Sequence, residues 1–222
     1  MKYSQINLYD ESFCYKDISC RIVKDILEYL KTSVLFDRKQ EFRYFWPYEM
    51  DPEVREENWD GERAVFSVSL HACRKKLLAQ HSGWNISANA GWDESIAIIY
   101  IDLLIDEDVL ISDDMLSLFE PELINVVSHE CHHMTQSENP FQRINCPEIS
   151  PDSYENFFEY FTSSGEIPAF VIGFRAHSQV SGIEKGTLMK RYLDNQVKSV
   201  LISEEESIKI LDIWLNYSKW DK

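Results

Sequence analysis

Glycine is scarce in this chain, with seven residues among 222. They form no G-x-G-x-x-G fingerprint, no phosphate-binding P-loop and no G-x-S-x-G nucleophile elbow, which sets aside several large enzyme classes. Basic charge is scarce as well. Lys and Arg number 22 against 38 Asp and Glu, a formal net charge of −16. A field of that sign repels phosphate backbones, so no nucleic-acid partner is expected. The five cysteines (Cys14, Cys20, Cys73, Cys131, Cys146) are odd in number, irregularly spaced and without a C-x-x-C, as reduced thiols in a cytosol-like compartment would be. No run of 18 apolar residues exists. The longest candidate, Ile96 to Ile105, is broken by Asp102, and no membrane span is expected. Met1 to Asp17 has no basic start followed by an apolar stretch, so no secretory signal is read there. The expected location is the cytoplasm, including that of a phage-infected host, or a virion.

What is present is an ordinary globular balance, 44% hydrophobic and 27% charged residues, which excludes wholesale disorder. No repeat, low-complexity segment or Pro/Gly/Ser linker divides the chain, so one domain over 1–222 is expected. Asp17 to Leu30 carries Ile18, Ile22, Val23, Ile26, Leu27 and Leu30 at helical spacing. Residues 37 to 62 read as irregular, completing an N-terminal part over 1–60. Within 61–106, Arg63 to Leu70 alternates as a strand, Asn85 to Ala90 is a weaker second strand, and Ser95 to Ile101 is a β-branched third. A small, mostly antiparallel sheet is expected there. The remainder, 107–222, reads as helical: Ser112 to Phe119, a longer helix opened by Pro121 and running through Gln136, then Tyr154 to Thr162 and Ile167 to Phe174. Ser203-Glu204-Glu205-Glu206 is a capping box opening a last helix, whose expected core face is Ile208, Leu211, Trp214 and Leu215. The order helix, sheet, helices defines an α+β class.

One stretch carries chemistry. His129-Glu130-Cys131-His132-His133 matches H-E-x-x-H. Residues four apart on a helix share a face, so His129 and His133 can grip one cation. Neutral imidazole suits zinc, which takes nitrogen donors in a tetrahedral shell. Glu130, beside the first ligand but not on the metal, stands where a general base would take a proton from activated water. The pair His129 and His132, three apart, is also workable. Glu130 in the base position favours His133, leaving His132 as a neighbour of the ligands or a surface residue.

A catalytic zinc shell needs a third protein ligand and a position for water. The metzincin continuation would require Gly at 136 and His at 139, where Gln136 and Asn139 stand. Glu166, 33 residues after His133, is the leading candidate. It also admits a bland reading, because Ser163-x-x-Glu166 is itself a capping box. Glu159 and His177 are rival third ligands. For a donor to the oxyanion that develops during peptide hydrolysis, Tyr160, Arg175 and His177 flank Glu166.

The combination of an H-E-x-x-H helix, a preceding sheet and a following helix bearing Glu resembles the gluzincin branch of zinc metallopeptidases. His129-Glu130-Cys131-His132-His133-Met134-x-Gln136, paired with Gly165-Glu166-Ile167-Pro168-Ala169-Phe170, is particularly similar to small zincin-like proteins of phages and bacteria. The resemblance spans roughly residues 60 to 180. It implies a zincin-like fold, one zinc ion per chain held by His129, His133 and Glu166, Glu130 as general base, and a peptide or protein substrate. It further implies that the run Ser95 to Ile101 is the edge strand to which substrate adds as a β-strand. The Asn-Glu-x-x-Ser-Asp motif of thermolysin-type enzymes is absent. Zinc-dependent hydrolysis of peptide bonds is therefore the leading expectation. Two other classes remain: a zincin-fold structural or interaction protein such as a phage particle component, and an acidic mimic of DNA.

Overall fold

Ile18, Ile22, Val23, Ile26 and Leu30 all lie on one buried stripe of the first helix, α1 (Tyr15–Thr32). The structure, a computed structural model, describes residues 15–32, 38–45, 65–77, 83–93, 96–135 and 156–220. The sequence readings at Cys14, Cys146 and throughout 46–64 lie outside these residues.

Four strands follow α1: β1 (Arg38–Phe45), β2 (Val65–Arg74), β3 (Trp84–Asp93) and β4 (Ile96–Ile105). Their spatial order is β1-β2-β4-β3. β1 pairs antiparallel with β2, β3 antiparallel with β4, and β2 parallel with β4. The sheet is therefore mixed, and β1 occupies a stretch whose sequence reads as irregular. Arg38-Lys39-Gln40-Glu41 lacks a β-branched residue, so local propensity there is weak, and pairing along Arg38–Phe45 with β2 supplies what propensity does not.

The expected edge strand is also corrected. β4 is flanked on both sides, by β2 and β3, and the edge beside it is β3. The near-continuous apolar run of β4 is the pattern of a strand interior to its sheet. Val68, Leu70, Ala72, Ile99, Ile101, Leu103 and Ile105 bury one face against α1 and the next helix. Ser69, His71, Tyr100 and Asp102 alternate onto the other face, where His71 Nδ1 lies 3.1 Å from Asp102 Oδ1.

That next helix, α2 (Asp113–Thr135), is continuous, where the sequence suggests two helices meeting at Pro121. Proline at an interior position forfeits the bond its nitrogen would give to the Ser117 carbonyl. The helix persists because Met115, Phe119, Leu123, Val127 and Cys131, spaced by four, bury a single face across the proline. β3 is tied to α2 near that point. Trp84 packs edge-on against Phe119 at 5.8 Å, and its Nε1 donates to Glu122 Oε2 at 2.6 Å.

The remaining helices are α3 (Phe157–Thr162), α4 (Glu166–Ser181), α5 (Lys185–Lys198) and α6 (Glu204–Trp220). They enclose a second core of Phe161, Phe170, Phe174, Leu193, Ile210 and Trp214. α4 is buried from Pro168 through Phe174 without a polar stripe, because α2 packs on one side and α5 and α6 on the other. α5 has no counterpart in the sequence reading; only Leu188, Met189 and Leu193 of its residues are buried. On α6 the expected core face shifts: Ile210 and Trp214 are inside, whereas Ile208 is 70% exposed. The capping box that opens α6 forms as expected, with Glu206 Oε2 accepting from the Ser203 amide at 2.7 Å and Ser203 Oγ from the Glu206 amide at 3.2 Å. No described helix is long and apolar enough to cross a membrane.

Candidate metal centre

α2 belongs to the first core and α4 to the second, and the two helices lie side by side. Gly173 permits their close approach. A Cβ there would strike the Asn125 side chain and stand 2.8 Å from the Asn125 carbonyl oxygen of α2. A glycine inside an apolar helix, at a cost of about 1 kcal/mol relative to alanine, signals such an approach. Substituting Gly173→Ala is expected to push α4 off α2 and to weaken metal binding at least tenfold, read by chelator competition.

Across this seam the histidines of α2 meet the first turn of α4. His129 Nε2 and His133 Nε2 are 2.9 Å apart. Glu166 Oε2 lies 3.2 Å from His129 Nε2, and Glu166 Oε1 lies 3.4 Å from His133 Nε2. These three residues are the group able to hold a metal ion among the described residues. A tetrahedral shell with bonds of about 2.0–2.1 Å puts neighbouring donor atoms about 3.3 Å apart, close to the 2.9, 3.2 and 3.4 Å of these pairwise contacts. The donor set also fits by a second measure. Glu166 Oε2 is buried without a hydrogen-bond partner, 3.2 Å from His129 Nε2. Leaving such an oxygen unpaired is costly unless a cation satisfies it. Two imidazoles and a carboxylate suit zinc among the divalent ions, and the geometry itself identifies no particular metal.

The two readings of Glu166 turn out to be compatible. Its main-chain amide donates to Ser163 Oγ at 3.3 Å, half of a capping box. In the complete box of α6 the glutamate reaches back to the serine amide, but here the Ser163 amide donates to the Tyr160 carbonyl at 3.2 Å instead. The Glu166 carboxylate is thereby free to turn inward. Burial raises its pKa, yet the His129 and His133 rings outweigh that effect and hold it at about 2, fully ionised at neutral pH.

Glu130 is buried directly beside this triangle, at 6% exposure. Its carboxyl is pushed above the ordinary value by burial, against the pull of His129 and His133. The Ala90 amide of β3 donates to it, so the edge strand fixes the orientation of the glutamate. Sequence patterns could not single out Ala90, because its contribution is a main-chain N–H with no side-chain signature. Phe170 is a second residue the motifs leave out; its ring stands 4.6 Å from that of His129 at 70°, closing one side of the imidazole.

His132 is buried next to the ligands but outside the triangle, and burial with the neighbouring histidine charges lowers it to about 3, so it stays neutral. Tyr160 reaches the site and hydrogen-bonds Glu166 through its side chain. Arg175 and His177 do not reach it. They follow Glu166 on α4 by nine and eleven residues, about 13 and 16 Å along the helix axis at 1.5 Å per residue. Glu159 is exposed on α3 and stands outside the metal-binding group. Compared with protein-family models, curated proteins and solved structures, the chain matches none of them.

Proposed function

We propose that the chain is a zinc-dependent peptidase, with His129, His133 and Glu166 as metal ligands and Glu130 as general base. The observation that carries this reading is the convergence of His129, His133 and Glu166, from two different helices, with one ligand atom of each within 4.8 Å of the others, beside the buried carboxyl of Glu130. A bound zinc ion supplies Lewis acidity toward a carbonyl and lowers the pKa of a water to near neutrality. Glu130, held by the Ala90 amide, accepts the proton of that water and returns it to the leaving amine. Its raised pKa brings it closer to the operating pH of a proton shuttle.

Peptide as the substrate class is supported by β3. Among the described residues no strand pairs with its outer side, so an extended chain can add there by main-chain hydrogen bonds. The Ala90 amide points away from β4 toward Glu130, and by alternation the main-chain groups of Ala88 also face outward. Substrate lying on this edge would pass directly alongside Glu130.

The test is a metal analysis of the purified chain together with cleavage of a denatured-protein substrate. About one zinc per chain is expected, removed in His129→Ala, with cleavage abolished by chelation and restored by zinc. Zinc bound without cleavage would favour a structural or interaction module. Absence of bound zinc in the native chain would overturn both readings.

A further inference from the structure

We infer that the substrate of this centre is a cationic segment, an extended stretch bearing Lys or Arg, and that Glu122 helps to select it. The inference rests on the peptidase reading above and names the substrate class for it. The elements that frame the site carry no positive side chain other than histidine. The 10 residues of β3, the 23 of α2 and the 6 of α3 include no Lys or Arg, where the chain's overall frequency would place about four. α4 has one, Arg175, nine residues beyond Glu166. Residues 136–155, which join α2 to α3, carry Arg143 against Glu138, Glu148, Asp152 and Glu155. On the helices away from the site, basic residues are matched locally: Lys190 pairs with Asp194 and Lys209 with Glu205, each at 2.7 Å. The excess of negative charge in the chain, −16 in all, is thus left uncompensated around the metal centre. The two positive charges of a bound zinc ion are offset by the carboxylates of Glu166 and Glu130 and do not reverse that sign.

Glu122 places a carboxylate on the route proposed for the substrate. It precedes His129 by seven residues, two helical turns, so it stands on the same face of α2 about 10 Å along the axis. Its Oε2 accepts from Trp84 Nε1 at 2.6 Å, which holds the carboxyl beside β3, the edge strand that packs along α2. Among the described residues no Lys or Arg forms an ion pair with it. A peptide added to the outer side of β3 next to Glu130 therefore runs past a carboxylate with no cation of its own. A Lys or Arg of that peptide supplies the missing charge, and the field of the surrounding carboxylates raises its encounter rate.

The experiment uses the zinc-loaded chain and three peptides of equal length that differ only in their flanking residues, Lys, Ser or Glu. At low salt the Lys peptide is expected to show a kcat/KM about tenfold or more above the Ser peptide, with the Glu peptide lowest. The order is expected to collapse between about 0.1 and 1 M salt, over which the Debye length falls from about 10 to about 3 Å. Binding of the labelled peptides to the zinc-loaded Glu130→Gln variant, read by fluorescence anisotropy, is expected to follow the same order. Glu122→Gln keeps an acceptor for Trp84 and removes the charge. It is expected to raise KM for the Lys peptide about 2–5-fold, leaving kcat and the Ser peptide unchanged. Glu204→Gln, the same charge change at the exposed start of α6, is expected to match the native chain. Equal cleavage of the three peptides, a preference that persists at high salt, or equal effects of the two glutamine variants overturns this inference and leaves the peptidase reading standing. No cleavage of any peptide removes the peptidase reading, and this inference with it.

Discussion

The Glu130→Gln variant is expected to retain zinc and to cleave peptide about 10²–10⁴-fold more slowly, the range that a positioned general base contributes. Glutamine preserves the size of the side chain and an oxygen to accept from the Ala90 amide, so the edge strand keeps its anchor. What it lacks is the ability to take up a proton. The carboxyl is buried and is no part of the ligand triangle, which is why metal content and activity are expected to separate. Steady-state cleavage combined with metal analysis of the same sample checks this. Undiminished turnover would eliminate Glu130 as the base, and loss of zinc would make it part of the binding site.

Trp214→Ala carries the largest expected effect on stability. The side chain is fully buried at the centre of the second core, stacked on Phe170 at 4.6 Å and 20°, with Phe161, Phe174 and Tyr192 around it. Its Nε1 donates to the Phe161 carbonyl at 2.9 Å. Truncation opens a cavity and orphans that carbonyl, costing about 3–5 kcal/mol by the measure of large aromatic deletions. Urea denaturation should show a lower midpoint with a similar slope. Because Phe170 touches both Trp214 and His129, zinc affinity is expected to fall in the same variant. A change below about 1 kcal/mol would mean that the α4–α6 core is not what holds α4 in place.

These two variants probe different levels of the same arrangement, and the levels differ in how far sequence reveals them. The pairing of His129 with His133 is visible in the chain because a helix brings residues four apart to one face regardless of its surroundings. His132, three residues from His129, shares that face almost as well; the position of Glu130 favours His133, and the structure groups His133 with His129 and Glu166. Glu166 was visible only as an ambiguity. Ser163-x-x-Glu166 and Ser203-x-x-Glu206 are the same motif, yet one glutamate closes its cap and the other turns to histidines 33 or more residues away. Nothing local separates them.

Edges and seams behave likewise. The alternation in β2 and the apolar run of β4 mark strands, but whether a strand lies inside a sheet or at its border depends on partners elsewhere in the chain. Hence β3, not β4, borders Glu130. Gly173 has no local feature that marks it; its role comes from Asn125 of α2 lying against it. By itself the sequence determined the α+β class, the buried stripes of α1 and α2 and the spacing of the two imidazoles, all consequences of periodicity along a single backbone. Tertiary packing alone decided that Glu166 meets the two histidines, which strand borders Glu130 and which groups surround both carboxylates. Those depend on where distant segments meet, and a short-range pattern carries no record of a meeting point.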